Sequence, residues 1–167
     1  FSRKDIDELT EVAKVYEAKG LAYVIYDESG EVRSPILKFL SEQEQKDIQS
    51  MTGAKSGDIV FFGADSFTVV CAALGHVRLE AAKKLNMIDE NIFALCWVTD
   101  FPMFEWSKDD SKWNATHHPF TSPNLDQLDS LDSGDLGKVL SRAYDLVLNG
   151  NEVGGGSIRI HSSHVQS

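Results

Sequence analysis

The sequence predicts an α+β fold: a small α+β lobe followed by part of an antiparallel sheet with helices. Three observations carry that expectation. Helical and strand periodicities alternate over about the first ninety residues. A continuously apolar run over 92–98 then changes the character of the chain. A last strand pattern, with Ile158 and Ile160 in alternation, follows a turn-rich stretch.

Each element follows in order. Ser2 with Asp5 three residues later opens a helix, because a hydroxyl and a carboxylate can each satisfy a free backbone N–H there. Ile6, Leu9, Ala13 and Tyr16 continue it at helical spacing, and Gly20 is the expected stop. Residues 21–26 read as a strand closed by Asp27-Glu28-Ser29-Gly30. Ser41 and Glu44 repeat the start signal and open a helix to about Met51. A strand over 59–62 precedes a long helix over 66–85, with Val69, Val70, Ala73, Val77 and Ala81 toward a core. The run 92–98 is expected as a strand buried on both faces. A segment over 100–106 leads into a polar connection holding Lys108, Asp109, Asp110 and Lys112, and 124–134 reads as an acidic loop. Leu136, Val139, Leu140, Ala143 and Val147 mark a helix ending at Asn149-Gly150. The final strand sets Ile158 and Ile160 on a buried face and Ser157, Arg159 and His161 on the other.

Sixteen Lys+Arg against twenty-six Asp+Glu leave a net charge of −10, which argues against a broad basic face for nucleic acid. No apolar stretch is long enough to span a bilayer, and no leader peptide is visible. Cys71 and Cys96 lie in apolar sequence without a CxxC spacing, so buried reduced thiols are expected. The chain opens on Phe1 and stops directly after a strand pattern, so a piece of a longer protein is expected.

Some candidate motifs fail. Gly137-Lys138 lacks the rest of a phosphate loop, and His161 with His164 is read as solvated rather than metal-binding. Four groups remain. His117-His118-Pro119 must be extended, because proline disfavours helix in its predecessor, so at most one imidazole points into a given pocket. Gly154-Gly155-Gly156 within a strand pattern is either a flexible turn or a floor on which a flat ligand lies, with Glu152 at its edge. Arg159 needs an acidic partner, and its planar fork suits either an internal salt bridge or capture of a ligand carboxylate. Asp145, on a mostly apolar helix, is costly unless paired, and with Glu152 it could hold Mg²⁺ together with phosphate oxygens.

At these residues the chain resembles the bacterial-type aspartyl-tRNA synthetases. The blocks are Trp97-Val-Thr-Asp-Phe-Pro-Met-Phe-Glu105, His117-His-Pro-Phe-Thr-Ser-Pro123, Ala143-Tyr-Asp145 and Asn149-Gly-Asn-Glu-Val-Gly-Gly-Gly-Ser-Ile-Arg-Ile-His161. The earlier part resembles the GAD insertion domain of that family, through Lys19-Gly-Leu-Ala-Tyr23, Ser34-Pro35, Lys38-Phe-Leu40 and Phe61-Phe-Gly-Ala-Asp65. The resemblance implies a GAD-like domain over 1–91 and part of a class II catalytic domain over 92–167. It implies activation of aspartate with ATP to aspartyl-adenylate and transfer to tRNA, in a cytoplasmic, homodimeric parent with no membrane or DNA partner.

On the same resemblance, His117, His118, Arg159 and Ser157 bind the amino acid. Glu152, Asp145, Gly154, Gly155 and Gly156 serve ATP, and Asp145 and Glu152 hold Mg²⁺. No protein nucleophile is implied, since the substrate carboxylate itself attacks the α-phosphorus and positioning carries the catalysis. Because the barrel and the other catalytic segments of the family are absent, the chain alone is expected to be inactive. The rival readings are a non-catalytic GAD-type module that binds a protein or tRNA partner, and a paralogue acting on something related.

Overall fold

In the computed structural model, which describes residues 1–166, helix α1 (Arg3–Val15) begins at the capping box expected from Ser2 and Asp5. Ser2 Oγ accepts the Asp5 amide at 3.2 Å, and the Ser2 amide donates to Asp5 Oδ2 at 2.8 Å. The helix does not run to Gly20. It ends at Tyr16, where the Ala18 amide reaches back to the Ala13 carbonyl and Glu17 takes a left-handed φ of 67°. That closure usually has glycine at the left-handed position; here Glu17 accepts the strain.

Strand β1 (Ala22–Tyr26) is the centre of an antiparallel sheet ordered β2-β1-β3. Its partners are β2 (Val32–Arg33) and β3 (Ile59–Phe62), with Tyr23 opposite Phe61 and Val24 opposite Val60. Between them α2 (Glu42–Thr52) repeats the capping box with Ser41 and Glu44 and closes on Gly53 at φ 67°. Helix α3 (Phe67–Lys84) packs against α1, and Leu9, Ala13, Leu21, Ala73 and Val77 form the core. Lys84 ties the two helices by pairing with Asp5 Oδ1 at 3.3 Å and with the Glu8 carboxylate. These elements make up the first compact unit, Phe1–Asp89.

The second unit, Glu90–Ser167, holds the antiparallel sheet β4-β7-β8: β4 (Leu95–Thr99), β7 (Ala143–Leu148) and β8 (Asn151–Ser157). It overturns several expectations. The helix placed over 136–147 is a 3-10 turn, Leu136–Lys138, followed by β7. Leucine and valine spacing there fits a helix, but Ala143, Asp145 and Val147 alternate with Tyr144, Leu146 and Leu148, and both neighbouring strands pair with that alternation. Asn149 and Gly150, at φ 49° and 81°, are the two-residue hairpin turn joining β7 to β8, not a helix stop.

The polar connection is the tip of a hairpin, β5 (Phe104–Ser107) with β6 (Lys112–Ala115), in which Trp106 faces Trp113. The expected acidic loop contains a 3-10 turn, Leu125–Gln127, and a short helix, α4 (Leu128–Asp132). Strand β4 is not buried on both faces; all five residues are exposed, because it pairs only with β7 at the sheet edge. Ile158 is likewise 37% exposed. Cys71 and Cys96 are free thiols as expected, but both are exposed, Cys71 on the outer side of α3 and Cys96 on β4. The last helix, α5, spans Ser163–Gln166.

Candidate functional site

Antiparallel pairing sets directly opposed residues on the same face of a sheet, and side chains alternate along each strand. Ala143 pairs with Ser157 and Asp145 with Gly155, so Asp145, Gly155 and Ser157 share a face. The alternation carried on to Arg159 places it on that face too. Glu152 should then fall on the opposite face, since it is an odd number of residues from Gly155. A register shift between Leu146 and Val147 prevents this: Leu146 pairs with Gly154 but Val147 pairs with Glu152, leaving Val153 as the extra residue of a β-bulge. The bulge turns Glu152 toward Asp145.

The two carboxylates converge over Gly155. A Cβ placed there would collide with Asp145 Oδ1 and lie 3.3 Å from Glu152 Oε1. Among the described residues neither carboxylate has a side-chain hydrogen bond or a cationic partner. Nor, among the described residues, does Arg159 have an acidic one. Two oxygen ligands around a notch without a side chain fit a hard cation that shares phosphate oxygens. The other two glycines differ from Gly155. Gly156 lies under the Tyr144 ring on the reverse face, where a Cβ would come within 2.9 Å of the Tyr144 hydroxyl. At Gly154, also on the reverse face, a Cβ would meet open space. To the carboxylate face these two contribute backbone only.

The histidine segment runs beside this strand. The Ile160 amide donates to the Phe120 carbonyl at 2.9 Å, and Thr121 bridges to Arg159. Ser122, Ile158 and Arg142 close a ring of three backbone hydrogen bonds of 2.8, 3.0 and 2.8 Å, in which each amide donates to the next segment. This ring wedges residues 121–123, all buried, between the ends of β7 and β8. His117 stands edge-on to Phe101 with centroids 5.6 Å apart, and its Nε2 is buried without a hydrogen-bond partner among the described residues. His118 is exposed and its Nδ1 accepts the Phe120 amide at 3.2 Å, so the two imidazoles do diverge. His161 lies exposed beyond β8, and His164 belongs to α5. Sequence reasoning gave no role to Thr121 or Tyr144. Thr121 Oγ1 lies 3.2 Å from Ser157 Oγ, and Tyr144 also meets Trp97 edge-on. Neither contact leaves a local signal, because both depend on which strands pair.

Residues 1–74 match the GAD domain. Over all 167 residues the chain is 52% identical to the aspartate–tRNA(Asp/Asn) ligase of Desulfotalea psychrophila, covering 27% of that protein. It is 48% identical to the aspartate–tRNA(Asp/Asn) ligase of Persephonella marina over 99% of the chain and 28% of the relative. To the aspartate–tRNA ligase of Ruminiclostridium cellulolyticum it is 48% identical over its full length, again 28% of the relative. The chain thus spans about a quarter of the length of the curated relatives it matches. Its residues 1–74 match a GAD domain, and from end to end it is about half-identical to one stretch of bacterial aspartate–tRNA ligases.

Proposed function

We propose that this chain is the part of an aspartate–tRNA ligase that forms one wall of the aspartate and ATP pocket, within a class II catalytic domain beginning near residue 92 and preceded by the GAD-like domain over 1–91. The observation that carries the reading is the single open face on which strand register and a bulge gather Asp145, Glu152, Gly155, Ser157 and Arg159. Arg159, without an acidic partner among the described residues, offers a bidentate fork to the side-chain carboxylate of aspartate. The orphaned His117 Nε2 accepts or donates a hydrogen bond to the amino acid, with His118 at the pocket margin. Asp145 and Glu152 would hold Mg²⁺ beside the ATP phosphates, and the bound ion would neutralise phosphate charge. Gly155, with the Gly154 and Gly156 backbone, lets the ligand approach the sheet.

In the reaction, the α-carboxylate oxygen of aspartate forms a bond to the α-phosphorus as the bond to pyrophosphate breaks. The chain's residues align the two reactants rather than react. The adenylate then passes its aspartyl group to tRNA, in a cytoplasmic homodimer whose remaining parts complete the pocket. Asparagine would leave Arg159 without its charged partner, so discrimination at this position is built on charge.

The test is aspartate-dependent ATP–pyrophosphate exchange by the full-length protein, by its Arg159→Ala variant and by this chain alone. Exchange by the full-length protein, with the aspartate KM raised at least about tenfold in the variant, is expected, since a hydrogen bond to a charged group contributes on the order of 2 kcal/mol. No exchange is expected from this chain alone. An inactive full-length protein would favour the non-catalytic module instead.

A further inference from the structure

We propose that Thr121 is a positioning residue that commits the Ser157 hydroxyl to donate its proton into the open face, toward an anionic oxygen of the ligand held by Arg159. The inference rests on the function proposed above and adds a determinant of amino-acid binding to the same site. Thr121 is 1% exposed, and the only hydrogen bond of its side chain among the described residues joins its Oγ1 to Ser157 Oγ at 3.2 Å.

Geometry alone allows either hydroxyl to be the donor. The cost of burial decides between them: a buried O–H without an acceptor loses a hydrogen bond outright, whereas a hydroxyl oxygen tolerates an idle lone pair. Thr121 has no other acceptor among the described residues, so its proton goes to Ser157. The Ser157 oxygen is thereby an acceptor on that side, and its own proton turns away, onto the half-buried face it shares with Gly155 and Arg159.

The mount is stiff. Thr121 is β-branched, which restricts its χ1. Its amide donates to the His118 carbonyl at 2.8 Å, and it bridges to Arg159 in the backbone. The neighbouring buried hydroxyls do not take this part: Ser122 Oγ donates to the Pro123 carbonyl at 2.9 Å, and Ser141 Oγ has no partner among the described residues. Thr121 therefore couples the histidine segment to the carboxylate-binding strand and sets the direction of one donor on it.

The test uses the full-length ligase and the variants Thr121→Val, Thr121→Ser, Ser157→Ala and the double variant Thr121→Val/Ser157→Ala. The readouts are aspartate and ATP KM in pyrophosphate exchange and the aspartate-induced shift in melting temperature. Thr121→Val should raise the aspartate KM about five- to twentyfold, as for loss of an oriented hydrogen bond to a charged group, and the ATP KM less than about twofold. Thr121→Ser should restore the aspartate KM to within about threefold, and on the Ser157→Ala background Thr121→Val should add less than about twofold.

An active ligase whose aspartate KM ignores Thr121→Val, or in which the valine costs as much without Ser157 as with it, overturns this proposal alone. If Thr121→Val does not fold, Ser157→Ala must reproduce the rise in aspartate KM, and an unchanged value overturns the proposal. A wild-type ligase that neither exchanges nor is stabilised by aspartate overturns both this and the function it rests on.

Discussion

At the scale of the residue, the glycine triplet divides into three separate requirements. Gly155 leaves the notch into which Asp145 and Glu152 reach, Gly156 makes room for Tyr144, and Gly154 adjoins open space. Composition shows three equivalent glycines, and their difference lies entirely in what stands across the strand. Arg159 and the two carboxylates were legible as candidates because charged groups among apolar neighbours demand partners. Their common face was not, because spacing within β8 sets Glu152 opposite Gly155 and only the unpaired Val153 reverses that. Gly155→Ala drives a methyl group into the Asp145 carboxylate. On the proposed function, it should lower kcat/KM for adenylate formation by the full-length protein by about 100-fold or more, the cost of displacing a positioning group by an ångström. Gly154→Ala should be milder by at least about tenfold, since its methyl faces away from the site. Equal losses in the two variants would show that the carboxylate notch is not what Gly155 serves.

At the scale of the element, the two capping boxes, β3 and α3 were legible because each is written in a few adjacent residues. The helix expected over 136–147 shows the opposite case. Its apolar spacing satisfied a helix while its alternation satisfied a strand, and pairing on both sides with β4 and β8 chose the strand. Asn149-Gly150 was the local signal that could have decided it, since that dipeptide supplies the two left-handed residues of a tight hairpin. Asn149 has a second task. Its Oδ1 accepts the Ala94 amide and its Nδ2 donates to the Ile92 carbonyl, both at 2.8 Å, so the hairpin tip also fastens the entry to β4. Asn149→Ala loses both bonds and places a residue without a side-chain amide at φ 49°. It should destabilise the second unit by about 1 to 2 kcal/mol. Urea unfolding followed by tryptophan fluorescence checks this directly, because Trp97, Trp106 and Trp113 all lie in that unit.

At the scale of the whole molecule, a net charge of −10 makes each lysine that gathers carboxylates consequential. Lys84 gathers two across the α1–α3 contact, a long-range arrangement that no local pattern in the sequence announces. Hydrogen bonds from the Ser2 side chain and backbone, then from Lys84, lower the Asp5 carboxyl from its usual value to about 2. The bond from Lys84 also lowers Glu8, and bonds from Glu8 and Asp5 raise Lys84. For the two carboxylates, the folded state binds protons less readily than the unfolded chain. The Asp5 contribution to stability is therefore present above about pH 4 and is lost as pH falls toward 2, and that of Glu8 is lost in the same direction as pH falls. For Lys84 the sign reverses: its contribution holds through neutral pH and is lost only as pH rises past its raised value. Replacing Lys84 with Met should thus lower the stability of the first unit at pH 7, and the deficit should shrink steadily between pH 4 and pH 2 as the wild type loses the same interactions. Far-UV circular dichroism reads α1, α2 and α3, and the tryptophan signal shows whether the effect stays within the first unit. A deficit independent of pH would mean that Lys84 acts through packing that methionine does not reproduce and not through its charge.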